Sequence, residues 1–127
     1  MHRPLNPPSI RPPFARYSHG VEVEAGKRIV AVSGQLGVNA DDTVPESVQE
    51  QAELCFANIA AILGEAGMTL NDIVRINAYV THRAYMKHYM EVRDRIVSDP
   101  PPASTLMIVG GFTRPEFKVE IEVLAAG

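Results

Sequence analysis

Residues 72–81, DIVRINAYVT, decide the fold. Successive side chains of a strand point to opposite faces, so Val74, Ile76, Ala78 and Val80 fall on one side while Ile73, Arg75, Asn77 and Tyr79 fall on the other. The stretch predicts a strand with one apolar face and one mixed face, which calls for an apolar layer on one side. Upstream, Val48, Ala52, Cys55, Ile59, Leu63 and Ala66 recur at spacings of four and three, the stripe of an amphipathic helix over about 46–66. Thr43, Pro45 and Glu46 mark its start and Gly67 its stop. Downstream, Tyr85, Tyr89, Val92 and Ile96 predict a second helix over 83–97, ended by Pro100 to Pro102.

Further out, strands fit at about 103–109 and 117–125. In the second of these, Val119, Ile121 and Val123 alternate with Lys118, Glu120 and Glu122. Residues 20–34, GVEVEAGKRIVAVSG, read as a hairpin of strands 20–25 and 28–34 with Gly26 in the turn. Five of the ten prolines fall within residues 4–13, where fixed φ angles and missing amide donors exclude helix and central strand, so about 1–14 reads as an extended arm. The order ββαβαββ makes an α+β, two-layer sandwich with two helices on one face of a mixed sheet. The other face would carry Arg75, Asn77, Tyr79, Lys118, Glu120 and Glu122, either solvated or covered by other subunits.

The chain has 127 residues, which fits one domain over 1–127 and leaves no room for a separate cofactor domain. A content of 46% hydrophobic and 21% charged residues excludes wholesale disorder. The net charge of −3 makes nucleic acid a poor partner. No apolar run is long enough to span a membrane, and the proline-rich start has no hydrophobic signal core, so a cytoplasmic location is expected. There is no GxGxxG, phosphate loop, HExxH, CxxC pair or GxSxG. His2, His19, His82 and His88 include no pair at ligand spacing within one helix, so no metal and no cofactor are expected. The single cysteine, Cys55, reads as buried filler, and Met86, Met90 and Met107 as adaptable packing.

Three stretches remain: ARYSHG at 15–20, VSGQLGVN at 32–39 and KVEIEV at 118–123. With Ala66-Gly67 closing the first helix, DIV at 72–74, PPAS at 101–104 and VEIE at 119–122, in that order and spacing, the chain resembles the RidA (YjgF-type) reactive intermediate deaminase family from about Arg16 to Ala125. The resemblance implies a chorismate-mutase-like α+β fold. It also implies a homotrimer whose sheets face inward as a barrel, with clefts between subunits. Family members hydrolyse small enamines or imines to a carbonyl compound and ammonia without metal or cofactor.

Carried over by position, Glu120 matches the glutamate that orients water, Tyr17 the tyrosine at the cleft, and Ser33 and Gly34 the pair lining it. Tyr17 also reads as an anchor for the arm, Ser33-Gly34 as a turn at a strand end, and Glu120 as one charge on a wet face. Two positions depart from the family pattern. Ser104 stands where an arginine would clamp a substrate carboxylate, and Tyr89 where asparagine is common. Either Arg16, Arg75 or Arg114 reaches the cleft instead, or the substrate is a small imine, enamine or carbonyl metabolite without that carboxylate, met by the hydroxyls of Ser104 and Thr105. The expectation is a hydrolytic deaminase of divergent preference. The alternatives are a trimer that binds a ligand or partner without turnover and, less favoured by the acidic balance, an endoribonuclease or translation inhibitor.

Overall fold

The computed structural model describes residues 2–127. Its elements are β1 (Arg3–Leu5), β2 (Gly20–Glu22), β3 (Ile29–Leu36), α1 (Val48–Gly64), β4 (Ile73–Val80), α2 (Tyr85–Ile96), β5 (Ala103–Ile108) and β6 (Val119–Ala126), with a 3-10 turn at Leu70–Asp72. Four strands form a mixed sheet in the order β3-β6-β4-β5; β4 and β5 run parallel, and β6 is antiparallel to both of its neighbours. The stripe expected of the first helix is the one that is buried: Ala52, Cys55, Ile59 and Leu63 are sealed against Ile76, Ala78, Val80, Val119 and Ile121, with Tyr89 and Val92 of α2 in the same core. Each large side chain enclosed this way contributes about 1.5–3 kcal/mol. The result is the α+β two-layer arrangement that the pattern predicts.

Four local expectations change. The 20–25/28–34 hairpin is not formed: β2 pairs antiparallel with β1, with Pro4 opposite Val21, while β3 pairs with β6. The first residues of the arm are therefore an edge strand, a place where a proline costs no ladder bond that the sheet needs. Helix α1 starts later than Thr43-Pro45-Glu46. Thr43 gives its hydroxyl to Asp41 at 2.6 Å, and the cap is Ser47, whose side chain accepts from the Glu50 N–H at 3.0 Å. A register shift between Ile73 and Arg75 turns Ile73 into the core and leaves Val74 half-buried, reversing the expected faces at the start of β4. Lys118 precedes β6, and its ammonium reaches the Glu46 carbonyl and the Tyr85 ring instead of the open sheet face.

Gln51, in the first turn of α1, is a buried polar residue that periodicity does not mark. Its Nε2 donates to the carbonyls of Pro45 and Glu116 at 2.8 and 2.9 Å, and its Oε1 accepts from the Lys118 N–H at 2.9 Å. One side chain thus ties the entry to α1 and the start of β6 together. Those are the two segments that set where β3 and β6 meet.

Candidate active site

The open face of the sheet is set by register. Arg75, Asn77 and Tyr79 of β4 lie opposite Leu124, Glu122 and Glu120 of β6, and Thr105 and Met107 of β5 continue the Asn77 and Tyr79 rows. Between Val32 and Gln35, two residues of β3, Ser33 and Gly34, face the single residue Glu122 of β6. This is a β-bulge, a device that re-aims side chains. Its effect falls on Glu120. A Cβ at Gly34 would lie 2.8 Å from both Cδ and Oε2 of Glu120, so the carboxyl is seated over the bare glycine.

Glu120 has no hydrogen-bond partner among the described residues, whereas Glu122 accepts from Tyr79 Oη at 2.6 Å and Asn77 Nδ2 at 3.4 Å. Burial, and then the charge of Glu122, raise the Glu120 pKa above its ordinary value. Ser33, which precedes Gly34 in the bulge, is exposed, and its hydroxyl is unengaged among the described residues. Behind the bulge, Cys55 donates from Sγ to the Gln35 carbonyl at 3.1 Å, and burial pushes the thiol up to about 12. That matches a structural cysteine.

The remaining predicted residues lie elsewhere in the protomer. Ser18 bridges Ala103 and donates to the Pro101 and Pro102 carbonyls, which fixes Tyr17 beside the start of β5. The Tyr17 hydroxyl accepts from the Phe14 N–H at 3.2 Å, and its ring meets His19 edge-on, so it does anchor the arm. Ser104 and Thr105 do not work as a pair: Ser104 shares the core side with Ile76, its Oγ buried and unpartnered, while Thr105 faces out and accepts from Arg75 Nη2 at 2.8 Å. Tyr89 is fully enclosed by the core, with its hydroxyl unpartnered and its pKa raised by burial, so it is no wall of an open cleft.

Of the candidate arginines, Arg16 is engaged by the Val97 and Ser98 carbonyls, and Arg114 pairs with Asp42 at 3.1 Å over the Phe117 ring. Arg75 stands on the open face. Among the described residues no cluster of three or more His, Cys, Asp or Glu side chains is placed to hold a metal ion.

Strands β3 and β5 are the two edges of the sheet, separated by β6 and β4. At about 4.8 Å per strand, the group Glu120, Ser33 and Gly34 is roughly 10–14 Å from the group Tyr17, Ser104 and Thr105. A cavity of about 560 Å³, lined by His2, Asp72, Asp99 and Pro100 among others, contains none of the predicted residues. It lies at the Ala126 end of β6, away from Glu120. The open face between the edges exposes apolar surface, with Ile29 70%, Met107 53% and Leu124 40% accessible.

A mixed sheet under two helices is the arrangement of the solved structures that this chain resembles. The family model for endoribonuclease L-PSP matches residues 9–127. A RutC family protein of Aquifex aeolicus is 31% identical over 125 residues, spanning 97% of this chain and 98% of that one. The crystal structure of a conserved Rid family protein, YyfB of Yersinia pestis, superposes with a TM-score of 0.83 at 28% identity, covering 99% of this chain and 98% of that chain. A 2-iminobutanoate/2-iminopropanoate deaminase of Dermatophagoides farinae is 25% identical over 122 residues, 94% of this chain and 92% of that protein. The chain belongs to the endoribonuclease L-PSP family and is a RidA (YjgF-type) protein. That family includes imine deaminases and also carries an endoribonuclease description.

Seating Glu120 over Gly34 yields a direct prediction. Gly34→Ala places a methyl where the carboxyl now rests, inside the 3.0 Å limit, so Glu120 must turn away. Displacing a catalytic group by about 1 Å costs up to ~10²-fold in rate. With Glu120 as the base of the reaction proposed below, turnover is expected to fall by up to that factor with little change in melting temperature, because the atoms that must give way are the far end of a flexible side chain. Unchanged kinetics in Gly34→Ala would remove the contact from consideration.

Proposed function

We propose that this protein hydrolyses a small reactive imine or enamine to a carbonyl compound and ammonia, in a cleft between subunits of a homotrimer. The observation that carries the proposal is the Glu120 carboxyl: it has no hydrogen-bond partner among the described residues, sits over Gly34 on a bulged edge strand and holds its proton more tightly than an ordinary glutamate. Ionised Glu120 orients a water and takes its proton as the oxygen adds to the C=N carbon. The proton taken by Glu120 passes to the nitrogen, and the carbinolamine then yields its hydroxyl proton to the amine as the C–N bond breaks, releasing ammonia and the carbonyl compound. No redox or metal step is needed.

The separation of the two residue groups supports a shared site. Bringing the β5 edge of one copy, with Tyr17 and Thr105, to the β3 edge of the next assembles both halves around Glu120. Three sheets joined in this way close a barrel and cover Ile29, Met107 and Leu124. Ser104 leaves the cleft without an arginine fork at that position, which favours an imine lacking an α-carboxylate. A free, buried thiol and a core without disulfides fit a cytoplasmic protein.

The test is an ammonia-release assay on imines generated in solution, one set bearing an α-carboxylate and one neutral, with sedimentation of the same sample. Three-chain mass and faster release from the neutral set are expected. Release at the buffer rate for every imine, together with a one-chain mass, removes the proposal; tight ligand binding by a trimer without product selects the non-catalytic alternative.

A further inference from the structure

Glu120 and Glu122 are two residues apart on one face of β6, and the chain treats them differently. Tyr79 is the register partner of Glu120, yet its hydroxyl donates diagonally to Glu122 Oε1 at 2.6 Å, and Asn77, the register partner of Glu122, donates to the same oxygen at 3.4 Å. Glu122 is therefore held from the β4 side by two neutral donors, while Glu120 leans the other way, onto Gly34 of β3. We infer that Glu122, gripped by Tyr79 and Asn77, is a positioning residue: it keeps a fixed negative charge beside Glu120 and so makes Glu120 the carboxyl that exchanges a proton with water. The inference rests on the hydrolytic reading above.

The surroundings of Glu120 leave this role to Glu122. From β3 it lies over Gly34 and opposite Leu36, and no residue from Ser33 to Leu36 carries a charge. From α1 the nearby group is the Cys55 thiol, neutral across the working range. From β4 it faces Tyr79, whose hydroxyl is committed to Glu122, and beyond it Arg75, committed to Thr105. Lys118, two residues earlier, sends its ammonium to the Glu46 carbonyl. A donor on Glu120 itself would favour its ionised form and make it a weaker base; the chain spends that donor on Glu122 instead. The Glu122 charge acts in the opposite sense, and the raised proton affinity of Glu120, due first to burial and then to Glu122, has the expected direction. Glu122 touches no substrate in this scheme.

The test follows the Glu120 side-chain carbon by NMR through an acid titration of the wild type, Glu122→Gln and Tyr79→Phe. Glu122→Gln keeps the shape and the Tyr79 bond but deletes the charge. Its Glu120 midpoint is expected at lower pH than in the wild type, and the acid limb of kcat/KM is expected to move down with it. Tyr79→Phe is expected to shift the midpoint the same way by less, since the carboxylate it frees can swing away. A Glu120 midpoint identical in the wild type and Glu122→Gln overturns the inference. A shifted midpoint in a protein that turns over no imine upholds the coupling and removes the hydrolytic reading, so the two failures are separable.

Discussion

Glu120→Gln is expected to lose turnover and gain stability at neutral pH in the same protein. The loss follows from the role proposed for it: a positioned general base contributes about 10²–10⁴-fold, and an amide of the same shape takes no proton from water. The gain follows from linkage. The Glu120 pKa is raised above its ordinary 4.5 by burial and by Glu122. A carboxyl with that shift favours the folded state while protonated, and this contribution is complete below 4.5 and disappears as pH rises through the folded value. Above that window the ionised group is a burden on the fold, which glutamine lacks. Melting temperatures of the wild type and Glu120→Gln should therefore agree near pH 4 and separate toward pH 7, the variant melting higher, while kcat falls. Equal kcat sinks the mechanism; a melting difference that does not vary with pH sinks the electrostatic account. A residue that costs stability at neutral pH is the pattern expected of a functional group.

The large periodic features were legible because burial enforces them. The α1 stripe from Val48 to Leu63, the alternation of β6 and the Gly67 stop, where φ is +71°, all appear where spacing put them. Periodicity also settles Tyr89: the stripe Tyr85, Tyr89, Val92 and Ile96 makes it a core residue, and the structure follows the stripe and not the family position. What escaped the sequence is long-range. Whether residues 20–22 pair with 3–5 or with 28–34 depends on which ladder the rest of the sheet leaves open, and local propensity is silent on that. The cap moved from Thr43 to Ser47 because the Thr43 hydroxyl is taken up within its own loop, accepting from Asn39 Nδ2 and donating to Asp41. The site was half-legible. Gly34 and Glu120 do meet, but the bulge that brings them together has no local signature beyond the glycine, and the division of the remaining residues between opposite sheet edges follows from strand order alone.

Gly37→Ala is expected to destabilise the fold more than any substitution on the open face. An added Cβ would lie 2.6 Å from Cα and Cβ of Gln51, which are main chain and stem of the first turn of α1 and not the far end of a flexible side chain. Something rigid must move. Overpacking of this kind costs about 1–3 kcal/mol. Moving Gln51 also strains its bonds to Pro45, Glu116 and Lys118, and each buried backbone group left unpaired costs a further ~1–3 kcal/mol. Together these approach half of a typical stability of about 5–15 kcal/mol. Two companions separate the causes. Gln51→Met keeps the volume and deletes the three bonds, so its loss measures the bonding alone. Gly64→Ala, at the end of α1 with nothing within 4 Å of its added Cβ, is expected to leave stability unchanged or slightly raised. Urea midpoints for the three variants decide it: a Gly37→Ala protein as stable as the wild type would mean that the residue following β3 and the first turn of α1 are not in contact. The anchoring of the bulge that carries Gly34, three residues earlier within β3, would then need another source.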